Sequence, residues 1–175
     1  MQRILVVYRS KYGATKKYAE WLSEALGCKI VESSKCNRSM LADYDTIVYG
    51  GGIYATGIAG FSLIKRNFEI LKNKKVVVFA VGASPYGESA FAALRERNFP
   101  DQMRDVPCFY CRGAFDERTM TMGDRILIKM LKKAVGKKDP SKYEPWEKEL
   151  MDAAGKPGDW TSKEYLAPIL DRIGL

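Results

Sequence analysis

Ser10, Lys11, Tyr12, Gly13, Ala14 and Thr15 form the segment best equipped for binding chemistry. They follow an apolar run, Ile4-Leu5-Val6-Val7-Tyr8, and lead into a helical pattern. A buried strand that turns through hydroxyl residues and a glycine into a helix start builds an anion site. Its donors are backbone N–H groups at the positive end of the helix dipole. Ser10 and Thr15 add hydroxyl donors, and Gly13 allows close backbone approach or a positive φ. Such a loop suits a phosphate monoester. Lys16 and Lys17 stand in the first helical turn, where cations are disfavoured, and a nearby anion would relieve that cost.

Two more segments share this character. Gly51, Gly52, Ile53, Tyr54 and Ala55 open one that runs to Gly57, and Gly82, Ala83, Ser84, Pro85 and Tyr86 open one that runs to Gly87. Small residues leave backbone polar groups available, and each segment carries one aromatic, Tyr54 or Tyr86. A flat heteroaromatic ring needs a slot for its faces and backbone partners for its polar edge.

Other chemistries find little support. The chain has no His, which removes the commonest metal ligand and the usual general base. No Ser–base or paired-carboxylate constellation is visible, so no catalytic side chain is assigned and a cofactor must carry the reaction. Cys108-x-x-Cys111 lies in an apolar strand whose alternation sends the two sulfurs to opposite faces. Buried reduced thiols are expected there, with no metal site. Gly50-x-Gly52-x-x-Ala55 matches the dinucleotide fingerprint as a pattern, yet it follows the third strand and no clear helix begins after it. NAD is therefore not expected.

The elements that position these loops alternate. Strands are expected over 3–8, 29–31, 46–49, 76–81 and 108–112, and helices over 14–26, 59–72 and 89–97. Thr161-Ser162-Lys163-Glu164 has capping-box spacing before a last helix, and Pro168 implies a kink or a late start. Strands apolar throughout are buried on both faces, the mark of a parallel sheet covered by helices. The fold class is α/β, a doubly wound five-stranded parallel sheet, with its ligand site beyond the carboxyl ends of the strands. Residues 1–175 read as one domain, with an insertion at about 114–160 between the last strand and the last helix. No apolar run approaches the roughly 20 residues of a spanning helix, and a cytoplasmic location is expected.

The residues now support a specific resemblance. The first strand with Ser10-x-Tyr12-Gly13-x-Thr15 resembles the FMN phosphate loop of flavodoxins, with Tyr12 where that family usually has Thr. Tyr44-Asp45 and Gly50-Gly51-Gly52-Ile53 match the same pattern around the third strand. The resemblance implies strand order 2-1-3-4-5 and non-covalently bound FMN held by the three loops. A narrower resemblance lies in Arg112-Gly113-Ala114-Phe115, Met122-Gly123-Asp124-Arg125 and Asp159-Trp160. These are similar to the flavodoxin-domain subgroup that includes menaquinone-dependent protoporphyrinogen oxidase. That similarity implies an oxidoreductase acting on a porphyrinogen-like substrate or a quinone.

Charge bears on the choice. Lys and Arg total 29 against 21 Asp and Glu, a net charge of +8. Electron-shuttling flavodoxins are acidic as a family, whereas positive surroundings favour the reduced anionic flavin and raise its potential. An FMN oxidoreductase is the first reading, and a non-enzymatic FMN electron carrier with a basic docking face is the alternative. The expected partner is a redox protein or a quinone. No basic-aromatic motif supports nucleic acid binding, and no oligomeric state follows from the sequence. Met122 to Val135 reads as a basic amphipathic helix, with Lys137 and Lys138 after it. Its apolar face meets a membrane surface, a partner or the protein's own core, and the sequence leaves these open.

Overall fold

Alternate residues of the Val- and Ile-rich segments feed two separate cores, and this makes the sheet. The computed structural model describes residues 3–54, 56–152 and 156–174. Strand β1 (Ile4–Arg9) leads through the first loop to helix α1 (Ala14–Leu26), then β2 (Lys29–Glu32) and α2 (Arg38–Ala42). Next come β3 (Thr46–Tyr54), β4 (Gly57–Ile58), α3 (Ser62–Arg66), α4 (Phe68–Leu71), β5 (Lys75–Gly82), α5 (Glu88–Asn98) and β6 (Cys108–Arg112). The insertion holds β7 (Ala114–Phe115), α6 (Met122–Val135), α7 (Pro145–Asp152) and β8 (Gly158–Asp159), and α8 (Ala167–Ile173) ends the fold.

Five strands pair in parallel in the order β2-β1-β3-β5-β6, with β4 returning antiparallel on the end of β3. This is the flavodoxin-like arrangement that the sequence implied. Leu5, Val7, Ile47, Tyr49, Val76 and Val78 face one core under α2 to α5. Val6, Val48, Val77, Phe79 and Val81 face the other, under α1 and α8. Period-2 alternation thus serves two apolar faces. Cys108 falls in the first core and Cys111 in the second, as alternation requires. Burial pushes the Cys108 thiol up to about 12 and the Cys111 thiol higher still, so both stay protonated.

The structure corrects several expected boundaries. The helix expected over 59–72 breaks at Asn67, whose side-chain amide donates to the Leu63 carbonyl at 2.8 Å and competes with helix continuation. The capping box at Thr161 does not form. Thr161 Oγ1 bonds Asp159, and Ser162 instead caps a short 3₁₀ turn before α8. Pro168 lies at the start of α8, so the late start is the one realised. Helix α2, capped by Asn37 on the Met40 N–H at 2.9 Å, was absent from the sequence reading.

The largest departure is β3, which continues through the glycine run to Tyr54. A Cβ on Gly50 would land inside the Phe79 ring, and one on Gly51 would overlap Ile58 Cγ2. Neighbours thus occupy the space that side chains at 50 and 51 would need, and β4 rather than a helix follows the run. The structural context of a dinucleotide fingerprint is therefore missing. Among the described residues no helix is long and apolar enough to cross a membrane.

Gly50→Ala should lower stability by about 1–3 kcal/mol, because Phe79 is fully buried and cannot swing away. Gly123→Ala, with open space around its α carbon, should instead stabilise by about 0.4–1 kcal/mol. Urea unfolding midpoints of both variants check this pair; a neutral Gly50→Ala would sink the packing argument.

Candidate functional site

Parallel pairing puts the carboxyl ends of β1, β3 and β5 side by side, with Arg9 opposite Gly51 and Gly52 opposite Val81. The loops after them meet at the point where strand order reverses, the place where open α/β sheets bind ligands. In the first loop, Gly13 takes φ 96° and forms the N-cap of α1 without any side-chain cap. Its N–H donates to Ser10 Oγ at 3.1 Å, and a Cβ there would meet nothing within 4 Å. No acidic residue stands in the first turn. Thr15, the second residue of α1, is buried, and its Oγ1 lies 3.4 Å from where a Gly52 Cβ would be. These donors and the open space beside Gly13 fit a phosphate monoester.

The two lysines of the first turn do not serve the anion site. Lys17 Nζ bonds Asp159 at 3.1 Å and Thr161 at 2.7 Å and rides over the Trp21 ring, while Lys16 pairs with Glu20. Lys11 is the cation that stays at the loop. Its ammonium sits 2.6 Å from Asp124 Oδ2 and lies over the rings of Tyr54 and Tyr12, at 4.5 and 5.5 Å from their centroids. Tyr12 and Tyr54 both donate their hydroxyls to the same carboxylate.

Asp124 comes from the start of α6 and is buried although it is charged. Hydrogen bonds from Lys11, Tyr12 and Tyr54 hold its carboxyl well below the usual carboxylate range. The same contact raises Lys11 and Tyr54 above their ordinary values, so at neutral pH the carboxylate is ionised, the lysine charged and the phenol neutral. This cluster ties the first loop, the end of β3 and the insertion together. The sequence contained Asp124 within a motif but gave it no role.

The second loop is latched from α5. Buried Asn98 accepts from the Ile58 N–H at 3.0 Å and donates to the Thr56 carbonyl at 2.9 Å, and Arg97 donates to Thr56 Oγ1. Gly51 is a packing position inside β3, Gly52 and Ile53 are half-buried in the same strand, and Tyr54 is exposed. Ala55 lies outside the described residues.

In the third loop, the carbonyls of Gly82, Ala83 and Ser84 already accept from Gly113, Arg112 and Tyr110. Sequence reasoning had expected them free. Tyr86 stands exposed against Phe91 and Tyr110, apart from the Tyr12–Tyr54 pair. Arg112 also pairs with Glu149 of α7 and lies 4.2 Å from the Trp160 ring centroid.

Residues 5–144 match the family described as the flavodoxin domain. An uncharacterised protein of Methanocaldococcus jannaschii is 29% identical over 114 residues, covering 63% of this chain and 75% of that one. A flavodoxin, WrbA-like protein from Agrobacterium tumefaciens is 18% identical in structural alignment, covering 71% of this chain and 88% of that one at a TM-score of 0.47. A flavoprotein in complex with FMN from Lactobacillus acidophilus is 17% identical, with 64% and 93% coverage and a TM-score of 0.40.

Asp124→Asn should loosen the start of α6, read as faster tryptic cleavage at Arg125 and Lys129. A depressed carboxyl contributes stability that is complete above its unfolded value, about 3.9, and lost as pH falls from there. Wild-type protection of α6, read by amide hydrogen exchange, should therefore decline only under strongly acidic conditions. In the Asn variant that acid-dependent part should be missing; identical pH profiles would refute the cluster's role.

Proposed function

That the chain belongs to the flavodoxin-domain family is the premise from which we propose that it is an FMN-dependent oxidoreductase. The observation that carries this reading is the start of α1, a helix end without a side-chain cap at Gly13, which takes positive φ, with Ser10 before it and Thr15 in the first turn. Held by these groups, FMN would supply reversible two-electron transfer at its ring. The amides after Gly13 would bind the terminal phosphate, with Ser10 and Thr15 adding hydroxyl donors. Tyr54 and Tyr86 would border the ring from the second and third loops, with Ile53 and Pro85 beside them.

The finer reading is oxidation of a porphyrinogen-like substrate or reduction of a quinone. Its support is where the narrower motif pieces come together. Asp124 holds Lys11, Tyr12 and Tyr54; Arg112 holds the Ala83 carbonyl and Trp160; Asp159 holds Lys17. Asp124 braces the first loop and the end of β3, Arg112 the third loop, and Asp159 the first turn of α1. An enzyme that positions an organic substrate needs such walls around its cofactor more than an open electron carrier does.

Two measurements test this. The purified protein should be yellow and release FMN on denaturation, and it should bind riboflavin roughly 100-fold more weakly, since charge-assisted phosphate bonds contribute about 1.5–3 kcal/mol each. Thr15→Ala should weaken FMN roughly tenfold and leave riboflavin unchanged. Equal binding of both flavins would overturn the phosphate assignment. For the reaction, FMN-loaded protein should turn over a porphyrinogen with menadione as acceptor. No turnover, together with a midpoint potential as low as an electron-carrying flavodoxin's, would return the assignment to a carrier.

A further inference from the structure

Among the described residues, the large apolar side chains that stand exposed fall in two places. Tyr12, Tyr54 and Tyr86 border the loops, and Met122, Ile126, Leu127, Met130 and Leu131 all lie on α6. Ile126 is 57% exposed and Met130 64%, so the apolar face of this helix does not pack on the protein's own core. Its inward stripe is the opposite one: Asp124 and Val135 are buried, and Ile128 is half-buried.

The outward face is ordered by charge. Met122, Ile126 and Met130 form one ridge at spacing of four, with Leu127 and Leu131 along one side. Arg125, Lys129 and Lys133 form the parallel ridge on the other side. Arg125 is committed to the carbonyls of Arg118 and Met120, and Lys132 to Glu117. Lys129, Lys133 and the following Lys137 have no ion-pair partner among the described residues.

We propose that α6 docks this protein on an anionic lipid surface, with its Met, Ile and Leu side chains in the acyl boundary and its free lysines on the headgroups. The shape of the face favours lipid over a folded partner. It is a convex helix with aliphatic side chains and no aromatic anchor, bordered by lysines whose stems reach up to phosphates. The contact is independent of any cofactor. If the flavin reading also holds, Asp124 fixes the lipid-facing helix to the first and second loops, and a membrane-dissolved redox substrate such as a quinone arrives beside the site.

Co-sedimentation with vesicles tests this, with flavin content measured on the same samples so that loss of cofactor and loss of docking are scored separately. Wild-type protein should sediment with phosphatidylglycerol-containing vesicles, roughly tenfold or more better than with phosphatidylcholine alone, and should be released by salt. Ile126→Asp with Met130→Asp should abolish sedimentation. Lys129→Glu with Lys133→Glu should weaken it roughly tenfold or more. All four side chains are exposed, so the variants should keep the wild-type melting temperature. Equal sedimentation of the aspartate variant and wild type would overturn the proposal. So would a soluble dimer, seen by sedimentation equilibrium, that the same two aspartates dissociate.

Discussion

One buried carboxylate organises the edge of this molecule. Asp124 belongs to a helix that the sheet does not need, yet it reaches between the first loop and the end of β3 and collects an ammonium and two phenol hydroxyls. A carboxylate removed from water persists only when its oxygens are paired, and here the partners come from elements far apart in sequence. Removing any one of them leaves the others in poorer company. The position of α6, the rings of Tyr12 and Tyr54 and the placement of Lys11 are therefore one problem with one solution.

That solution changes the electrostatic picture that net charge alone suggests. Around the loops nearly every basic side chain has an acidic partner: Arg9 with Glu32, Lys11 with Asp124, Lys17 with Asp159, Arg112 with Glu149. Such pairs are close to neutral at a distance. The free lysines 129, 133 and 137 belong to α6 and its end. The potential of a flavin held at these loops would follow the local field and not the net charge of +8, and these pairs reduce that field.

Elements with strong local signals were legible in the sequence, and those settled by contacts across the fold were not. Cys108 to Arg112, Met122 to Val135 and the helix before Gly27 were read within a residue, since period and breakers agree there. The glycines at 50–52 resembled a turn because glycine usually marks one. All three lie in the strand, and Phe79 and Ile58 fill the places of the first two side chains, which no local pattern records. Asn98 and the bonded carbonyls of Gly82 to Ser84 were missed for the same reason: a hydrogen-bond partner tens of residues away has no local signature.

The sequence by itself determined the parallel sheet, its two apolar faces and the glycine turn at Ser10 to Thr15 that opens α1. Alternation, helical period and a glycine before a helix are properties of neighbouring residues, and backbone geometry turns them directly into form. Only the tertiary structure decided that Lys16 and Lys17 turn from the loop, that Asp124 enters it, and that the apolar ridge of α6 faces outward. Those outcomes depend on which distant groups arrive first in reach of a charge or a methyl. Chain order does not encode that distance.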